Sequence, residues 1–319
     1  MKVTCTGVGN ATIRLSSSLA VLCALFCATI VLSAAERPAA SVSVMDTKTL
    51  LRSIVLHENQ PPAGRTAKEI LPELTRQLAS PDPELRDDLA FSILTVWIYE
   101  KRLLSSDDLR SLATTLLSNL RRGIGEQNAD TVFVRSFSAL TLSIIVARDN
   151  EEPFLSEGEF RNFLNAALTY FRDERDTRGF DAQKGWIHTV AHTSDLLKFL
   201  ARSRYLSGED QGRILEALVA KLHAVSEVFG QGEDQRMARV VISIVRRSDL
   251  QKDAIRAWFD QRKADAKFPD KPSVESLRFE QNTLHFLVSL WAALSIEDRP
   301  SDNAEVVKGL LRGVLRTVM

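Results

Sequence analysis

His188, His192 and Asp195 recur at helical spacing just after Trp186. Advancing about 100° per residue from Trp186 sets them at about 200°, about 240° and about 180°, one polar stripe along one face. Val190, Leu197 and Ala201 fall on the opposite side, and Phe199 extends the polar stripe. Two histidines at i and i+4 can hold a divalent metal such as zinc, with Asp195 as third ligand and water in the fourth place. The general-base glutamate of an HExxH helix is absent, because Thr189 follows His188. Two other readings stand beside the metal site: acid–base chemistry without metal, and a hydrogen-bonded network that holds the preceding loop.

That loop, Glu174 to Gly185, is dense in charge. Arg175, Asp176 and Arg178 can recognise an anion through paired guanidinium groups, or form a salt-bridge lattice within the loop. Lys184 is a phosphate ligand or a cap on a neighbouring helix. Trp186 stacks a ligand or packs. Arg86-Asp87-Asp88 and Glu233-Asp234 are acidic spots that can face the same cleft, although carboxylates in a first helical turn also answer the helix dipole. In a metal-dependent hydrolase, Asp87, Asp88 or Asp176 would activate the water. Asn282, polar amid Leu277, Leu284 and Leu287, is a candidate to reach inward, whereas His57, His223 and His285 are isolated.

The elements that must position these groups read as helices throughout. Apolar residues recur at i, i+3, i+4 and i+7 from about residue 46 onward, and strand-like alternation is nearly absent. Asp82 before Pro83 has the pattern of an N-cap with proline at the first helical position. Ser156 with Glu159 and Ser207 with Asp210 have capping spacing, and Arg121-Arg122-Gly123 reads as a helix end. Roughly eleven helices are expected, among them 83–101, 129–149, 186–204, 233–247 and 274–296. Segments 129–149 and 274–296 are apolar around much of their circumference and should lie between neighbours. Antiparallel pairs at a period of about forty residues would make a HEAT-like or armadillo-like α-α superhelix, with a closed toroid as the alternative.

Residues 1–35 are a different polymer. Lys2 and Arg14 are their only charges, Leu19 to Leu32 is apolar apart from Thr29, and Ser33-Ala34-Ala35 suits cleavage before Glu36. This is the layout of a secretory signal peptide, and the apolar run is short of the about 20 residues a membrane span needs. The expected division is a signal peptide over 1–35, a linker over 36–45 and one helical domain over 46–319. The product would be exported, periplasmic or secreted, with no membrane span after cleavage. Cys5, Cys23 and Cys27 all lie in the removed segment, which excludes thiolate chemistry and disulfides from the mature chain. Lys+Arg and Asp+Glu are each 41, so no basic excess points to nucleic acid. No GxSxG elbow, Walker loop, dinucleotide-binding GxGxxG or EF-hand loop is present.

Ser80-Pro81-Asp82-Pro83-Glu84-Leu85-Arg86-Asp87-Asp88, and the run Glu174-Arg175-Asp176, Arg178-Gly179, Lys184-Gly185-Trp186, His188, His192, Asp195, resemble the bacterial family called domain of unknown function 2785. The likeness is expected to run from about Asp46 to the end. Asp181-Ala182-Gln183 and Thr193-Ser194 depart from its usual residues, which alters the rim of the cluster more than the histidines and Asp195. The resemblance implies a helical-repeat domain and brings no activity or catalytic residues with it. Three functions stay open: a binder of a small ligand or metal ion at the Trp186–Asp195 cluster, a metal-dependent hydrolase, and a protein-interaction scaffold in which the cluster is structural.

Overall fold

A computed structural model describes residues 46–265, 271–298 and 300–318. The expected signal peptide, the linker and the three cysteines lie outside the described residues. Helix makes up 69% of the described residues, with twelve α-helices among them, so the protein is all-α. The order is α1 (Thr47–Leu56), α2 (Ala67–Gln77), α3 (Ser92–Thr95), α4 (Ser106–Asn119), α5 (Thr131–Glu151), α6 (Glu157–Asp173), β1 (Phe180–Asp181), β2 (Gly185–Trp186), α7 (Thr189–Leu200), α8 (Gly208–Ala224), α9 (Glu233–Val245), α10 (Lys252–Asp265), α11 (Val274–Ser295) and α12 (Asp302–Val318). π-helical turns, Glu84–Phe91 and Val96–Glu100, flank α3.

The row that carries the site is α5, α7, α9 and α11, each packed against the next. Helix α5 holds the centre. Between Val132 and Asp149 only Leu140 and Ile144 are not fully buried, as its apolar circumference requires. It is long and apolar enough to cross a membrane by length and composition, yet 83% of that apolar window is buried inside the protein. Helices α4, α6 and α8 are apolar on one stripe only, and they flank the row: α4 on α5, α6 on α7, α8 on α9. In α6 the stripe is Phe160, Phe163, Leu164, Ala167 and Phe171, all buried. Each such side chain removed from water contributes about 1.5–3 kcal/mol before entropy is charged against it.

Three helices of the row start differently from the flanking set, while α11 opens on a capping box of Ser273 with Ser276. Capping boxes open the flanking helices: Ser105 with Asp108 at α4, Ser156 with Glu159 at α6, Ser207 with Asp210 at α8. Helices α5, α7 and α9 begin at Asp130, His188 and Gly232 with no side-chain cap bond. Lys184 pairs with Asp130 and His188 reaches Gln231, so these three bare N-termini lie at one end of the row. Asn150 donates to the Phe199 carbonyl and Arg202 to Ser243, which places their C-terminal ends together at the other.

Two expected boundaries shift. The helix expected over 186–204 starts at Thr189, because Trp186 belongs to a two-residue hairpin in which Phe180 pairs with Trp186. Gly185, at φ 73°, makes the tight reversal, and Asp181 Oδ1 accepts from the Gln183 and Lys184 amides at 2.8 Å each. The helix expected over 83–101 is present but mostly wound as π. The Ser92 amide donates to Asp87 O, five residues back, and the Lys101 amide to Val96 O. Asp82 does cap it, accepting from the Glu84 amide at 3.0 Å and the Leu85 amide at 3.4 Å.

Candidate functional site

The charged loop is laid over the bare end of the row by a buried ion pair. Arg135, wholly buried on α5, donates to both carboxylate oxygens of Glu174, from Nε at 2.6 Å and from a terminal nitrogen at 3.1 Å. It also donates to the carbonyls of Arg122 and Gly123, and Glu174 accepts from the amides of Arg175 and Asp176. No buried oxygen of Glu174 is left unpaired, which is the condition for such a pair to persist in a core. Asp176 and Arg178 then form a fork within the loop, Nε to Oδ1 at 2.8 Å and a terminal nitrogen to Oδ2 at 2.5 Å. Arg175 is exposed. Of this trio, Asp176 and Arg178 pair with each other and Arg175 stands outside the pair.

His188 ends the loop in a left-handed conformation, φ 52° and ψ 35°. Its amide donates to the carbonyls of Arg178 and Gly179, bonds that no helical residue would make. Its Nε2–H donates to Gln231 O at 3.0 Å, with the Glu233 carboxylate 3.4 Å away. That neighbour keeps Glu233 below the ordinary carboxylate range despite its burial. The approach of the loop to Gln231 and Glu233 leaves no room beyond hydrogen at Gly179, where a Cβ would lie 2.2 Å from Gln231 Oε1. On its other side His188 stacks on Trp186, ring centroids 4.5 Å apart at 18°.

His192, one turn into α7, is 6% exposed and meets His188 edge-on at 5.6 Å. Ser136 Oγ lies 2.8 Å from its Nδ1 and also contacts Ile187 O. A hydroxyl has one proton. Because the carbonyl can only accept, Ser136 donates to Ile187 O and receives the Nδ1–H of His192. His192 is therefore the Nδ1–H tautomer, and its Nε2 makes no hydrogen bond among the described residues. Burial, reinforced by His188, Arg236 and Arg86, holds its pKa well below the usual histidine value, so the ring is neutral.

Asp195 is not beneath the histidines as a ligand. Its Oδ1 accepts from Lys198 at 2.7 Å and its Oδ2 from Arg236 of α9. With both oxygens committed to cations, and one nitrogen of each histidine committed to Gln231 or Ser136, the set His188, His192 and Asp195 does not converge. Among the described residues no three His, Cys, Asp or Glu side chains are grouped to hold a metal. The expected helical phasing fails for a plain reason: His188 precedes α7 rather than belonging to it.

The π-wound segment closes the cluster. Arg86 is fully buried, lies over Phe133 at 4.0 Å, and donates to Ser80 O, Lys184 O, Trp186 O and Asp87 Oδ2. It ties the hairpin to the helix that carries Asp87. The Asp87 carboxyl is pushed up to about 6, mainly by burial and against the pull of Arg86. Asp88 is exposed. Lys184 pairs with Asp130 at 2.6 Å, and Trp186 stays 40% exposed with Phe180 edge-on to it. Asp234 turns away to Ser289, and buried Asn282 accepts from the Phe229 amide and donates to Glu227 O.

Sequence reasoning missed Ser136 and Arg236 as members of the cluster, and named Arg86 only beside its acidic neighbours without a role. Ser136 sits in an apolar run where a serine needs a partner, and that was the available signal. Arg236 gave none beyond ordinary helix-surface charge.

Residues 120–292 match the model of the family described as protein of unknown function (DUF2785), and the chain belongs to that family. The match contains the Glu174–Asp195 run and leaves out the Ser80–Asp88 segment, which had been expected to share the likeness. No curated protein and no solved structure matches the chain.

Proposed function

We propose that this family member is an exported helical-repeat protein that binds a small hydroxyl- or amine-bearing molecule at the Asp87–Trp186–His192 cluster, without a metal. The observation that carries the reading is His192. It is neutral and oriented by Ser136, and its Nε2 lone pair has no hydrogen bond among the described residues. An acceptor left in that state on a ring 6% exposed is suited to a ligand O–H or N–H. Trp186 adds an exposed aromatic face, and Asp87 and Asp88 add carboxyl oxygens as further acceptors. The neutral imidazole beside a carboxyl poised near 6 also favours a second reading, acid–base catalysis without metal.

Export rests on the apolar Leu19–Leu32 run and the small residues Ser33 to Ala35. The repeat architecture rests on the stacked row α5, α7, α9 and α11.

The test is a thermal-shift and tryptophan-fluorescence titration with monosaccharides, amino sugars and polyamines, on wild type and His192→Asn. Asparagine can keep the donor to Ser136 while deleting Nε2. The expected result is one class that raises Tm in the wild type and loses its effect in His192→Asn. Equal shifts in both proteins, or none with any class, would overturn the reading. Fractionation of cells expressing the full chain tests export, and cytoplasmic retention would reject it.

A further inference from the structure

At the opposite end of the row, where the C-termini of α5, α7 and α9 meet, a cavity of about 660 Å³ is lined by Arg202, Arg204, Arg246 and Arg247, with Ser243 and Ser248. Arginines at helix C-termini are expected, because the last carbonyls carry partial negative charge. That accounts for Arg247, which donates to the carbonyls of Ala201, Ser203 and Leu206 and pairs with Asp249. Arg204 is matched by Asp149 and Leu155 O, and Arg246 by Glu297.

Arg202 differs from all three. It donates its Nε–H to Ser243 Oγ at 3.0 Å, its guanidinium lies 5.0 Å from the Phe199 ring centroid, and its side chain has neither an ion pair nor a bond to a carbonyl among the described residues. Desolvation by its neighbours and the like charge of Arg246 depress its pKa against the pull of Tyr99 and Asp195, while the residue keeps contact with solvent. The lining thus holds four guanidinium groups against one carboxylate, Asp249, and one of the four makes no ion pair among the described residues. Capping does not explain the surplus. An anion seated among these groups would relieve the repulsion between Arg202 and Arg246 and take up the unused terminal N–H donors of Arg202.

We propose that this cavity is a binding site for a small molecule carrying two or more anionic oxygens, with Arg202 as its principal contact. The site is separate from the histidine cluster, since His192 and Arg202 are about 15 Å apart along the axis of α7. Phosphate esters and polycarboxylates share the chemistry, and two probes distinguish them.

Isothermal titration of the protein with inorganic pyrophosphate and with citrate, at low salt, tests the proposal. At least one probe should bind the wild type and bind Arg202→Gln about tenfold or more weakly, with Arg202→Lys in between. Which probe binds identifies phosphate or carboxylate as the source. Arg76→Gln, on α2, serves as the remote control and should bind as the wild type does. Thermal melts without anion check that Arg202→Gln is folded. Failure of both probes to bind the wild type, or equal binding by Arg202→Gln, overturns the proposal.

Discussion

Ser136 and His192 lie 56 residues apart in the chain and 2.8 Å apart in the fold, and the serine decides which imidazole nitrogen keeps its proton. The hydroxyl serves α5, the end of the loop at Ile187 and the first turn of α7 at once. Ser136→Ala leaves the Nδ1–H of His192 and the Ile187 carbonyl without this partner in a buried setting. The expected loss is about 1–3 kcal/mol, read as a lower urea midpoint at unchanged slope. His192→Asn should cost less than His192→Leu, because only asparagine can return a donor to Ser136. Equal losses would show that the hydrogen bond is not what positions this ring.

The two shifted groups of the cluster act on stability at different pH. Asp87 has a folded pKa of about 6 against an ordinary 3.8, so the folded state holds the proton more tightly. Its contribution is fully present below about 3.8 and is lost as pH rises through about 6. Asp87→Asn should therefore be more stable than the wild type at pH 7 to 8, by about 1–2 kcal/mol once solvent screening is allowed for. Denaturation at pH 4 and pH 8 checks this, with the gap between the two proteins opening only at the higher pH.

For His192 the sign is opposite. Its folded pKa lies well below 6.5, so the unfolded chain takes up the proton first and stability falls as pH drops below 6.5. His192→Asn should lack that acid-side loss while keeping the Asp87 effect. A wild type and a His192→Asn variant with identical stability profiles below pH 6.5 would rule out a buried neutral histidine.

Arg135 and Glu174 are both buried, so removing one charge strands the other. Arg135→Met is expected to cost about 3–5 kcal/mol and to loosen the loop that carries His188. Limited proteolysis between Arg175 and Lys184 should speed up with it. Unchanged cleavage would mean that the loop is held by Asp176 and the hairpin alone.

Gly185 sits at φ 73°, and a Cβ there would lie 2.9 Å from Pro83 Cβ and 3.3 Å from a terminal nitrogen of Arg86. Gly185→Ala combines backbone strain with a clash against the helix bearing Asp87, and should cost about 1–3 kcal/mol. Trp186 fluorescence should shift, since Arg86 no longer holds the Trp186 carbonyl. Gly212→Ala, where a Cβ meets open space, is the comparison and should be close to neutral or stabilising.

Helix content was legible in the chain because it depends on local pattern. The capping pairs at Ser156 and Ser207 and the apolar stripe of α6 act within one or two turns, and each appears where its spacing places it. The same holds for α5, whose apolar circumference can be satisfied only between neighbours. The candidate site was legible as a neighbourhood, since the loop and α7 are contiguous in sequence. Its chemistry was not. Whether His188 begins a helix depends on Gly179 and Gly185 meeting residues from distant elements, which a helical wheel does not contain. Which atoms of His192 and Asp195 remain available depends on Ser136 and Arg236, 56 and 41 residues away. Hydrogen bonds and ion pairs are made by whichever groups folding brings within about 3 Å, and that is a property of the packed row rather than of any one segment.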